Sequence, residues 1–90
     1  MQKTASTIML LAKRFGVKSG KVVLIDLPLI HQDIADLSGV TRETASIQVG
    51  LLEKAGIISR KGRKISILKT NSLSLKASSG DDGSLQNLSF

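Results

Sequence analysis

Ninety residues make room for one small domain with a core of modest size. The absence of cysteine excludes a disulfide, a zinc–thiolate centre or an iron–sulfur cluster built from this chain alone. A net charge of +6 points to polyanionic partners. Along the chain, residues 4–15 predict a first helix. Ile8, Leu11, Ala12 and Phe15 fall on one face at helical spacing. Thr4 or Ser6 is a candidate cap, and Gly16 a candidate left-handed terminator. Met9 and Leu10 widen the apolar surface beyond one face, as if for another chain or domain. The apolar run is cut by Lys13 and Arg14, well short of a membrane span, and no signal-peptide cleavage pattern follows. A cytoplasmic location without membrane contact is therefore expected.

Residues 16–21 read as a loop. Residues 21–27, rich in Val and Ile, read as a strand ended by Pro28. The next helix, about 30–37, turns Ile34 and Leu37 inward and keeps Ala35 small where a second helix crosses. Gly39 supplies the turn, Val40 plugs it into the core, and Thr41 caps a second helix at about 42–55. Ala45, Val49 and Leu52 form its buried stripe, with Leu51 at the margin. Arg42, Glu43, Ser46, Ile47 and Gly50 lie on the other side, and Gly56 closes the helix. Residues 57–60 and 64–68 are short strands joined through Lys61, Gly62 and Arg63. Ser, Gly, Asn and Asp dominate from residue 70 onward, and the leucines there keep no helical period. Residues 70–90 therefore read as a largely disordered tail behind a domain at 1–69. The fold class expected is α+β: a winged helix-turn-helix with three helices and a small three-stranded antiparallel sheet.

Charge is concentrated late in that domain. Between positions 54 and 69 there are six cations (Lys54, Arg60, Lys61, Arg63, Lys64 and Lys69) and no acid. A basic stripe directly after a helix-turn-helix suits contact with nucleic-acid phosphates better than mere solubility.

The motifs resemble one family in particular, the C-terminal DNA-binding domain of the Crp/Fnr family of bacterial transcription regulators. The resemblance covers residues 4–68. It rests on Leu-Pro-Leu at 27–29, His-Gln-Asp-Ile-Ala-Asp-Leu at 31–37 and Gly-Val-Thr-Arg-Glu-Thr-Ala-Ser at 39–46. Leu-Glu-Lys-Ala-Gly-Ile-Ile at 52–58 and the basic hairpin Ser-Arg-Lys-Gly-Arg-Lys-Ile-Ser-Ile at 59–67 complete it. It implies that the second helix enters the major groove of duplex DNA, with Arg42, Glu43, Ser46 and Ile47 facing base edges. Arginine can donate twice to guanine, and glutamate can accept from cytosine. It further implies phosphate contacts from His31, Gln32, Thr41, Thr44, Arg60, Lys61, Arg63 and Lys64, and RNA polymerase as a partner of the intact regulators.

The sequence departs from the family pattern at particular residues. Ile47 stands where an arginine is common, and can offer only an apolar contact to a thymine methyl. Ile30 stands where Thr or Ser caps the first helix of the pair. Ser38 and Gln48 are polar where the family is often apolar. The family's base specificity therefore does not transfer. The family's effector-binding β-roll and dimerisation helix have no counterpart in these residues, which reads as a fragment or as a minimal DNA reader.

Nothing in the sequence argues for an enzyme or a cofactor. His31 is the only histidine, and Asp33 and Asp36 beside it make weak metal ligands. Gly16 and Gly20 lack a phosphate-loop pattern. The competing class is a winged helix that binds protein, for which the apolar first helix and Ile47 speak. RNA binding by base stacking is disfavoured, because Phe15 and Phe90 are the only aromatic residues.

Overall fold

The computed structural model describes residues 1–78. Its first helix, α1 (Gln2–Phe15), starts earlier than the cap signals imply, with Met1 at the N-cap and no side-chain hydrogen bond there. Thr4 and Ser6 are not caps but lie inside the helix. Thr4 is fully buried and Ser6 Oγ donates to Ala77 O at 3.3 Å. The widened apolar surface of α1 is mostly used within the domain. Met9 is buried with Ile8, Leu11 and Ala12, while Leu10 is exposed, and Phe15 is 42% exposed rather than a core residue.

Gly16 does not end α1 in the left-handed region. Its φ of −77° and ψ of 139° are extended, and it begins a strand. Glycine is needed there for a different reason: a Cβ would sit 2.1 Å from Ala12 O and 2.8 Å from Val23 Cγ1. The span read as a loop is instead β1 (Gly16–Ser19), which turns through Gly20 and Lys21 into β2 (Val22–Ile25). All four residues of β1 are exposed, so no apolar alternation marks it.

The pair α2 (His31–Ser38) and α3 (Arg42–Lys54) follows. Ile30 occupies the N-cap of α2 with no side-chain acceptor to offer. Half of a capping box remains, in which Ile30 N–H donates to Asp33 Oδ2 at 2.9 Å. Ile34 and Ala35 are fully buried, but Leu37 is 60% exposed, contrary to its expected inward place. The inward position one residue on is taken by Ser38, whose Oγ donates to Thr7 Oγ1 at 2.9 Å. Gly39 makes the turn at φ 71°, where a side chain would be strained, and Thr41 Oγ1 caps α3 by accepting from Thr44 N–H at 3.1 Å. Ala45, Val49 and Leu52 are the buried stripe of α3, as their spacing requires.

Strands β3 (Ile58–Lys61) and β4 (Lys64–Ile67) form a hairpin that joins β1 and β2 in one antiparallel sheet of order β1-β2-β4-β3. The sheet has four strands rather than three. Val23 and Ile58 both pair with Ile67, and Ile25 and Arg60 both pair with Ile65. Directly paired residues share a face, so Val23, Ile25, Ile58, Ile65 and Ile67 line the core side.

A fourth helix, α4 (Thr70–Ala77), occupies the start of the region read as a structureless tail. Leu73 and Ala77, one helical turn apart, are fully buried and belong to the same apolar core as α1. Leu75 between them is exposed, so the apolar residues alternate along the sequence and mask the helical spacing. The remainder of the predicted tail lies outside the described residues. The architecture is α+β, with four helices and a small antiparallel sheet.

Candidate nucleic-acid interface

The β3–β4 hairpin is fastened to the entry of α2. Leu29 N–H donates to Arg63 O at 2.7 Å, and Arg60 Nη2 donates back to Leu29 O. Arg60 can do this because its register partner is Ile65, which puts its side chain on the core side of the sheet. Its Nε also donates to Gly62 O at 3.1 Å, and its Nη1 is buried with no hydrogen-bond partner. The sequence reading expects a phosphate contact from Arg60, and the structure adds a second set of bonds within the domain. Arg60 is a half-buried clamp whose Nη1 has no hydrogen-bond partner.

A cleft of about 480 Å³ opens beside this clamp, lined by Ile30, His31, Arg42, Glu53 and Arg60. Its α3 wall follows from helical geometry: Arg42, Ser46 and Glu53 recur at i, i+4 and i+11 and so lie nearly in line. His31, the first residue of α2, faces that line, with its Nδ1 2.8 Å from Ser46 Oγ. Glu43 and Ile47 belong to the neighbouring line, which points away from the domain. Ile47 is 65% exposed, and the Arg42 and Glu43 side chains are 58% and 74% exposed, touching each other only loosely at 3.9 Å. Arg42, Glu43 and Ile47 thus stand free. Ser46, grouped with them on sequence, is half-buried and already hydrogen-bonded.

The remaining predicted residues divide similarly. Thr41 Oγ1 donates to Thr44 Oγ1 at 2.9 Å while accepting from Thr44 N–H, which leaves the Thr44 hydroxyl proton uncommitted. Gln32 Nε2 donates to Asp36 Oδ1 at 2.7 Å along the exposed side of α2. Lys61 and Arg63 are exposed at the hairpin tip, and Lys64 is paired with Asp26 at 2.9 Å across two half-exposed side chains. Lys61 and Lys64 are direct cross-strand partners. Two like charges opposite one another disfavour the hairpin, so their presence is not explained by fold stability.

The whole length 2–75 matches the Crp-like helix-turn-helix domain. The chain belongs to that family. The match includes most of α4 and so runs beyond the hairpin. Among curated relatives, the chain is similar to the transcriptional activator protein FnrL of Cereibacter sphaeroides, with 33% identity over 85 residues. That alignment covers 90% of this chain and 34% of FnrL. It is 36% identical over 72 residues to the global nitrogen regulator of Nostoc sp., covering 80% of this chain and 32% of the regulator. Solved structures carry the same fold. The CO-dependent transcription factor CooA from Carboxydothermus hydrogenoformans superposes with a TM-score of 0.76 at 25% identity, covering 84% of this chain and 35% of CooA. A transcriptional regulator of the CRP/FNR family from Thermus thermophilus gives 0.73 at 25% identity, covering 84% of this chain and 39% of that one. The chain therefore spans about a third of the length of the relatives it matches.

Within this Crp-like domain, Gln48 and Ser38 each reach across to a threonine of α1. Gln48 of α3 accepts from Thr4 Oγ1 at 2.5 Å, and Ser38 of α2 donates to Thr7 of α1. The two buried threonines of α1 thereby each find a side-chain partner. Among the described residues, no three His, Asp or Glu side chains gather as a metal site. No described helix is long and apolar enough to cross a membrane.

Proposed function

We propose that this Crp-like domain binds duplex DNA sequence-specifically, as part of a transcription regulator acting in the cytoplasm. The observation that carries the reading is that the capped helix α3 leaves exposed side chains at its start while the β3–β4 hairpin presents exposed cations at its tip. Arg42, Glu43 and Ile47 project unpartnered from α3, while Lys61 and Arg63 extend from the β3–β4 tip. α3 enters the major groove, with Arg42, Glu43, Ser46 and Ile47 meeting base edges. His31, Gln32, Thr41 and Thr44 approach phosphates at the start of the two helices. Lys61, Arg63 and Lys64 reach the flanking backbone, and Arg60, whose guanidinium is half-buried, adds positive charge behind them. Sensor and dimerisation functions belong to other parts of such regulators, and RNA polymerase is a partner by resemblance alone. The similar proteins are regulators by name, which fits a binding role rather than catalysis.

The test is binding to random duplex DNA across a salt series, followed by site selection from a random library. Affinity that falls linearly with log salt, together with a selected half-site of a few base pairs, supports the reading. Salt-independent or absent binding rejects it. A second reading, a winged helix that docks protein, draws on the exposed Ile47 and Leu51 on α3, 65% and 52% accessible. That reading predicts no binding to DNA at low salt.

A further inference from the structure

His31 and Ser46 sit on different helices, and their hydrogen bond is the only side-chain bond joining α2 to α3 among the described residues. Resting on the DNA-binding reading above, we propose that His31 is a positioning residue that sets the hydrogen-bond polarity with which Ser46 meets a base. A serine hydroxyl has one proton and two lone pairs. If Nδ1 is bare, Ser46 donates its proton to the ring and shows a base only lone pairs. It then selects a base edge that donates, cytosine N4 or adenine N6. If Nδ1 carries a proton, Ser46 accepts from the ring and its own proton is freed. It then admits an edge that accepts, such as guanine O6 or thymine O4, as well as one that donates, because one lone pair also remains.

The bare-Nδ1 ring is the neutral state that uses both nitrogens. Ser46 makes no other side-chain hydrogen bond among the described residues, so the ring is the one fixed acceptor for its proton. The opposite nitrogen, Nε2, then carries hydrogen and is a donor for the phosphate assigned to His31 above. Protonating the ring adds hydrogen at Nδ1 and reverses the Ser46 bond without moving a heavy atom. The charged groups around the ring are Asp33 on its own helix, Arg42 and Glu53 from α3, and Arg60 from β3. Base choice at one position of the half-site therefore depends on whether Nδ1 carries hydrogen, in a residue that touches no base.

Two measurements test this. His31 is the only histidine, so its imidazole nitrogen resonances need no assignment. At pH 8 the full chain, free of DNA, should show hydrogen on Nε2 and a bare Nδ1. Hydrogen on Nδ1 at pH 8 would overturn the proposal. Site selection from a random duplex library at pH 8 and pH 5.5 should show an about tenfold preference for cytosine or adenine at one base pair at pH 8 that relaxes to admit guanine or thymine at pH 5.5. Ser46→Ala should lose preference at that pair at both pH values. His31→Gln, which keeps a hydrogen-bonding group but does not titrate, should select the same base at both. A shift that persists in Ser46→Ala, or identical selections by the parent at the two pH values, rejects the assignment. Loss of salt-dependent binding to random duplex would reject the DNA-binding reading itself, whereas the imidazole measurement needs no DNA.

Discussion

α3 is held from two sides by the same kind of bond, and the sides differ chiefly in access to water. Towards α1, the helix pair is bound by Thr4 to Gln48 and Thr7 to Ser38, with Thr4 fully buried. Towards the cleft it is bound by His31 to Ser46, and the hairpin beyond by Arg60 to Leu29 O, among half-exposed side chains. A bond broken in the first seam strands a polar atom away from solvent. A bond broken in the second can be replaced by water, or by a ligand. The same chemistry is structural on one side and available for recognition on the other, and burial decides which.

The largest effect is expected where the α1 side is driest. Leu73→Ala removes the anchor by which α4 closes over α1, and should cost about 2–5 kcal/mol of unfolding free energy. Urea titration of parent and variant measures it. The DNA affinity of the folded fraction should stay as it was. A variant as stable as the parent would mean that α4 is not part of the core.

A smaller loss, about 1–3 kcal/mol, is expected from Thr4→Val, which leaves the Gln48 carbonyl oxygen without its donor. Adding Gln48→Leu should recover most of it, because a seam with both partners apolar has no unsatisfied group. The double-mutant cycle separates the coupled pair from two independent losses. Additive single effects would show that the bond across the seam is not what stabilises it.

Legibility from sequence follows the same division. The α2–α3 unit could be read closely because its signals are local: Gly39 for the turn, Thr41 for the cap, and Ala45, Val49 and Leu52 for the buried stripe. β1 escaped because a strand exposed on both faces carries no alternation, and α4 because its apolar residues Leu73, Leu75 and Ala77 fall at every second position, which hides the helical pair Leu73 and Ala77. Gly16 was correctly singled out, but for its backbone angle, whereas its actual constraint is the closeness of Ala12 O and Val23, a tertiary fact. The proposed site was half legible. That Arg42, Glu43 and Ile47 would be exposed follows from helical spacing. That Ser46 is tied to His31 and Arg60 to Leu29 depends on where three elements converge, and no spacing along the chain encodes it.

On the cleft side, stability and binding should separate. Arg42→Ala and Glu43→Ala remove exposed side chains with no close partner, and should change stability by no more than about 0.5 kcal/mol. Each should flatten preference at one base pair, worth about 1–3 kcal/mol where the contact is well aligned. Selections that match the parent in both variants would show that these residues do not read bases.

The smallest effect has opposite signs in the two assays. Lys61 and Lys64 face each other across the hairpin, and only Lys64 has an acid, Asp26, beside it. Lys61→Thr removes the repulsion and places a β-branched residue in a strand, so it should stabilise the domain by a few tenths of a kcal/mol. The same change should make the salt dependence of DNA binding shallower, by about 0.9 in the slope of log affinity against log salt, if Lys61 neutralises one phosphate. Denaturant midpoints and a salt series on the two proteins give both numbers. A gain in stability with a shallower slope identifies the lysine pair as a feature kept for the ligand at the expense of the hairpin. An unchanged slope would take the hairpin tip out of the proposed interface and leave the repulsion without a function.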